Sequence, residues 1–107
     1  MKINLKATRL ELTEAITDYV QAKVDMLEKY LGNTPVLNCD VELEKTIGDK
    51  RKGDIFRAEI NLQIPKEILR VEKTQPDLYK AIDKVKDHLE EIIISHREKL
   101  RDQKRGK

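Results

Sequence analysis

Leu37, Cys39, Val41 and Leu43 alternate strictly with Asn38, Asp40, Glu42 and Glu44. The pattern returns as Phe56, Ala58, Ile60, Leu62 and Ile64 against Arg57, Glu59, Asn61 and Gln63. A period of two, apolar on one side and polar on the other, predicts strands of a sheet covered on one face only. Ile3, Leu5 and Ala7, set against Lys2, Asn4 and Lys6, form a shorter strand of the same kind, and Leu69 and Val71 against Arg70 and Glu72 form a fourth. Thr46 to Asp54 is a polar loop holding Gly48 and Gly53, which predicts a hairpin, and Pro65-Lys66-Glu67 turns the chain again.

Two amphipathic helices supply the cover. Thr13 caps the first, whose Ile16, Tyr19, Val20, Val24, Leu27 and Leu31 recur at spacings of three and four until Gly32-Asn33 and Pro35 end it. Asp77 caps the second, with a buried stripe of Leu78, Ile82, Val85, Leu89, Ile92 or Ile93, and His96. The order is β-α-β-β-β-α, an α+β fold in which two helices pack on one face of a four-stranded sheet. The first strand-helix-strand unit should cross over right-handed and leave its strands parallel, and the later strands should form an antiparallel meander. Residues 1–100 are expected to form one domain and residues 101–107 a flexible basic tail.

The chain carries almost no aromatic residues and no tryptophan, so its core must be aliphatic. Cys39 is the single cysteine, which excludes an internal disulfide and a multi-cysteine zinc site and places a small apolar residue on a strand. The N-terminus lacks the apolar run of a signal peptide, and no stretch approaches a membrane span, so a cytoplasmic location is expected. No glycine-rich phosphate loop, GxSxG or HExxH is present. His88 and His96 lie two turns apart on one helix with no third ligand. No residue is assigned to catalysis or to a metal, and no cofactor or small-molecule substrate is expected.

Charge is distributed unevenly. Residues from His96 to Lys107 hold six basic and two acidic side chains, while the first 95 residues hold sixteen basic and eighteen acidic. Such polarity suits a polyanion, although a helix C-terminus favours Lys and Arg by its dipole alone. The basic places are the hairpin tip Lys50-Arg51-Lys52, then Lys23 and Lys29 on the first helix, and Lys80, Lys84, His88, Arg97, Lys99, Arg101, Lys104 and Arg105 on the second helix and its tail. The polar sheet face, with Asp40, Glu42, Glu44, Glu59 and Glu72 and no aromatic side chain, cannot stack bases and repels phosphate. Binding to nucleic acid should therefore run through the helices, reading shape and charge.

Two blocks carry a family resemblance across Ile3 to about Leu100. One is Leu10-Glu11-Leu12-Thr13-Glu14-Ala15-Ile16, followed by Asp18-Tyr19-Val20, Lys23 and Leu27-Glu28-Lys29-Tyr30. The other is Asp77-Leu78-Tyr79-Lys80-Ala81-Ile82-Asp83, then Asp87-His88-Leu89 and His96-Arg97-Glu98-Lys99-Leu100. Together they resemble the bacterial hibernation promoting factor and ribosome-associated inhibitor family. The resemblance implies a fold similar to double-stranded-RNA-binding domains. It also implies a non-catalytic stress factor that binds the small ribosomal subunit and its rRNA and blocks the mRNA and tRNA sites. The implied contacts fall on Lys23, Lys29, His88, Arg97 and Lys99, with Arg9 and Lys84 adjacent.

Four positions depart from the family pattern. Met26 and Ser95 stand where a basic residue is usual, His88 stands where lysine is usual, and Glu91 reverses a charge. Long family members carry a second, ribosome-pairing domain; that activity is not expected of this chain alone, and the free protein is expected to be a monomer. A generic double-stranded-RNA-binding module and a protein-interaction module using the outer sheet face are the competing readings.

Overall fold

The computed structural model describes residues 1–46 and 55–105, with side chains through residue 103. The hairpin tip Lys50-Arg51-Lys52 and the side chains of Lys104 and Arg105 lie outside the described residues. In chain order the elements are β1 (Asn4–Thr8), α1 (Glu14–Asp25), α2 (Glu28–Leu31), β2 (Asn38–Lys45), β3 (Phe56–Ile64), β4 (Glu67–Gln75) and α3 (Leu78–Arg105). The strands form one sheet in the order β1-β2-β3-β4. β1 runs parallel to β2, and the other two pairings are antiparallel. The α+β expectation is met, with helices over one face.

Register explains the one-sided core. Leu5 faces Val41, which faces Ile60, which faces Val71; Ala7, Leu43 and Ala58 form the neighbouring row. These rows meet Val20, Val24, Leu27 and Leu31 from α1 and α2, and Leu78, Ala81, Ile82, Val85, Leu89 and Ile93 from α3, in one aliphatic cluster. Burial of this kind stabilises by about 25 cal/mol per Å² of apolar surface, so the rows, rather than strand propensity, hold the sheet. Leu37 is the exception to its strand's alternation: it lies before the first residue of β2 and is 57% exposed, so the core on that strand begins at Cys39.

Both expected caps form. Thr13 Oγ1 accepts from Ile16 N at 3.2 Å, and Asp77 Oδ2 accepts from Lys80 N at 3.1 Å, each satisfying a donor of the first turn. In the β3–β4 turn Lys66 takes φ +69° after Pro65, a backbone sign that favours glycine or asparagine.

Two differences from the sequence reading concern helices. The first helix is not continuous. Met26 N is shared between the carbonyls of Ala22 and Lys23, and Leu27 N bonds Val24 at 2.9 Å, so the backbone tightens at 26–27 before α2 begins. The apolar stripe runs through the break, and Leu27 and Leu31 are both buried, which is why periodicity misses it. The last helix runs through Arg105, past the boundary at residue 100, so residues 101–105 are helical. At about 1.5 Å per residue α3 is some 42 Å long, against roughly 30 Å for a nine-residue strand. Its last turns therefore overhang the sheet: Ile93 is buried, whereas Leu100, on the same stripe, is 46% exposed.

Candidate nucleic-acid interface

The sheet's outer face and the helix layer differ in how their charges are used. On the sheet, Arg57 sits among carboxylates: its guanidinium donates to Glu44 at 2.9 Å, Glu59 at 3.0 Å and Glu42 at 3.1 Å, with Glu72 at 3.8 Å. Partial burial pulls its pKa down, but these bonds outweigh that and hold it above the ordinary arginine value. The Arg57 bond in turn holds the Glu44 carboxyl below the usual carboxylate range. Arg9, an adjacent candidate for RNA contact, belongs to this network instead. It donates to Glu44 at 2.6 Å and to the Lys45 carbonyl at 3.1 Å.

The helix layer holds the candidate cations in three situations. Lys29, Lys80, Lys84, Lys99 and Arg101 are exposed and form no ion pair among the described residues. Lys80 and Lys84 project from the first turns of α3, one turn apart. Lys29 Nζ lies 5.1 Å from the centroid of the Tyr30 ring, a cation–π distance.

Lys23 and Arg97 are committed within the protein. Lys23 Nζ is 3.3 Å from Asp83 Oδ1 and 5.3 Å from the Tyr19 ring centroid. Arg97 donates from Nη1 to the Tyr30 carbonyl at 2.7 Å, capping the C-terminal end of α2 with a cation. That contact depends on Gly32, whose φ of +58° ends α2 and whose missing side chain leaves room for the guanidinium. Lys29, Arg97 and Arg101 line one groove of about 480 Å³ with Tyr30 and Ile94.

His88 and Lys99 lie on the other flank of α3, in a groove of about 620 Å³ shared with Glu67, Glu91 and His96. His88 is half-buried rather than a free surface residue, and its Nδ1 meets no hydrogen-bond partner among the described residues. His96 Nδ1 lies 3.4 Å from Glu67 Oε1. Glu91 places a negative charge between His88 and Lys99 on this flank. The eight candidates whose side chains are described thus do not gather into one patch: Lys29, Arg97 and Arg101 mark one flank of α3, His88 and Lys99 the other, Lys80 and Lys84 its outer side, and Lys23 meets α3 through Asp83.

Sequence reasoning passed over Lys86, which is 6% exposed. Its ammonium pairs with Asp87 at 3.0 Å and Glu90 at 3.1 Å. Burial pulls its pKa down, yet the two carboxylates hold it above the ordinary lysine value. The signal was present as the i,i+4 pair with Glu90 beside the stripe residues Val85 and Leu89. Among the described residues no cluster of histidine, cysteine and carboxylates could hold a metal ion, and no helix is long and apolar enough to cross a membrane.

Known proteins share this fold and sequence. The chain is 31% identical over 100 residues to a ribosome hibernation promotion factor of Lactococcus lactis, covering 94% of this chain and 51% of that protein. It is 33% identical over 87 residues to the factor of Deinococcus radiodurans, covering 80% and 44%. A ribosome hibernation promoting factor of Azotobacter vinelandii is 27% identical over 106 residues, covering 99% and 92%. The chain thus spans about half the length of the first two relatives and most of the third. The crystal structure of the Thermus thermophilus Protein Y N-terminal domain superposes with a TM-score of 0.75 at 35% identity, covering 90% of this chain and 99% of that one. A ribosomal subunit interface protein from Coxiella burnetii, at 16% identity and a TM-score of 0.69 over 91% and 98% of the two chains, shares the fold. The sequence profile described as Sigma 54 modulation protein / S30EA ribosomal protein matches residues 3–101, and the chain belongs to that family.

Proposed function

We propose that this chain is a hibernation factor of the bacterial cytoplasm that binds the small ribosomal subunit and silences translation by occupying the mRNA and tRNA sites. The observation that carries the reading is the contrast between the two layers. Lys29, Lys80, Lys84, Lys99 and Arg101 are exposed without ion pairs among the described residues, while the glutamates of the sheet close around Arg57. Exposed cations on rigid helices can replace the counterions of folded RNA, and the domain behind them then excludes other ligands by volume. The relatives' names supply the setting, since they are ribosome hibernation factors. No covalent step is required. The engaged glutamates also weaken the competing idea that the sheet face recruits a protein, because Arg57 already neutralises part of that face.

The test is competition. Purified small subunits carrying labelled tRNA in the decoding site are titrated with the protein at several salt concentrations. The proposal expects stoichiometric co-sedimentation and matching loss of tRNA. With about six phosphate contacts, affinity should fall roughly a thousandfold between about 50 and 200 mM salt, taking the coefficient of duplex DNA. Co-occupancy of protein and tRNA would refute occlusion. Equal affinity for any RNA duplex would favour the generic RNA-binding reading.

A further inference from the structure

Asp83 stands where α1 meets α3 and receives two donors from α1. The Tyr19 hydroxyl donates to Asp83 Oδ1 at 2.5 Å, and the Lys23 ammonium lies 3.3 Å from the same oxygen. Tyr19 also meets Tyr79 edge-to-face, with ring centroids 4.8 Å apart, so the phenol that holds the carboxylate is itself packed in place. The Lys23 ammonium lies beside both the carboxylate and the Tyr19 ring face. Lys29, Lys80 and Lys84 have no such carboxylate partner among the described residues.

We propose that Asp83 is a positioning residue that restrains RNA binding: it holds the Lys23 charge in an ion pair at the protein surface and so weakens the grip of the helix layer on phosphate. This rests on the proposed RNA-binding function. A phosphate approaching Lys23 must either displace Asp83 or accept a carboxylate beside it, and both oppose binding. Tyr19 makes displacement harder, because its hydroxyl would lose its acceptor in a partly buried place. The pair therefore limits how many phosphates are neutralised, and with that the affinity and its salt dependence.

Asp83→Asn tests this, since asparagine keeps the shape and an acceptor for Tyr19 while removing the charge. Binding to purified small subunits should tighten, and the loss of affinity between about 50 and 200 mM salt should deepen by roughly a factor of three to four, the share of one added phosphate contact. In a Lys23→Met background the same change should leave the salt slope nearly unaltered. A merely structural role for Asp83 would instead weaken binding or leave it alone. Tyr19→Phe, which leaves the carboxylate charged, should lower the urea midpoint without steepening the slope. Should Asp83→Asn fail to fold, Lys23→Met against Lys84→Met decides: the slope lost with Lys23 should be less than about half that lost with Lys84. Equal losses, or an Asp83→Asn slope unchanged from the parent, overturn the inference alone. Absence of any binding by the parent overturns the proposed function and the inference with it.

Discussion

Replacing Gly32 with alanine should cost more than any surface substitution nearby, and the structure says why. Gly32 ends α2 with φ +58° and ψ −124°, a combination that side chains with a Cβ rarely adopt. Forcing a residue into such a region costs about 1–3 kcal/mol. The added Cβ would also stand 2.8 Å from Arg97 Nη2 and 3.0 Å from its Cζ. The tip of an arginine is flexible, so this clash is relieved when the guanidinium swings away. What is then lost is its 2.7 Å bond to the Tyr30 carbonyl, worth about 1 kcal/mol at an exposed site. The backbone term is thus the larger, and the total is about 2–4 kcal/mol. Urea unfolding followed by circular dichroism should show the midpoint falling by about 1–2 M for a domain of this size. In an Arg97→Gln background the same substitution should cost about 1 kcal/mol less, because the bond is already gone. A Gly32→Ala protein within about 0.5 kcal/mol of the parent would refute both the backbone argument and the role given to Arg97.

Three further outcomes follow from single groups. Arg57→Met removes the counter-charge shared by Glu42, Glu44 and Glu59 and should lower the urea midpoint at pH 7. The Glu44 carboxyl is held below its ordinary value of 4.5, so its contribution is present above that pH and is lost as pH falls through the folded value. The gap between parent and variant should accordingly narrow in acid, and a gap independent of pH would contradict the pairing. The Tyr19 hydroxyl, bonded to Asp83, is pushed up from 10.0 to about 12. The stability it provides is full below pH 10 and is lost as pH rises towards 12. Alkaline absorbance titration should show one tyrosine ionising late, and this lag should shrink in Asp83→Asn; three tyrosines titrating together in the parent would rule out the bond. Burial pushes the Cys39 thiol up to about 11, so a thiol reagent at mildly alkaline pH should label it only at the rate of unfolding. Immediate stoichiometric labelling of the native protein would contradict its placement.

Local signals in the sequence carried most of the fold. Alternation in residues 37–45 and 56–64 reports strand faces because each side chain is buried or solvated by its own position in the pleat. Thr13 and Asp77 were readable as caps because the donor each satisfies lies three residues away. The tightening at Met26–Leu27 was not readable, since the stripe continues through it, and Leu37 failed because alternation does not say where the covering layer stops. The candidate interface was legible as charge but not as pairing. Asp83 lies 60 residues beyond Lys23, and Arg97 reaches a carbonyl 67 residues away. Such partners are chosen by how α1, α2 and α3 pack, so a list of basic residues cannot separate engaged cations from exposed ones without them. Lys86 shows the converse: a lysine that sequence reasoning passed over is buried by position and satisfied by its own helix.

The most direct test of the central claim is inhibition of cell-free translation by a variant in which Lys29, Lys80, Lys84, Lys99 and Arg101 are all replaced by glutamine, with circular dichroism confirming the fold. The parent should silence synthesis on bacterial ribosomes, and the neutralised variant should leave it running and fail to sediment with small subunits. A folded variant that inhibits as strongly as the parent would contradict the account.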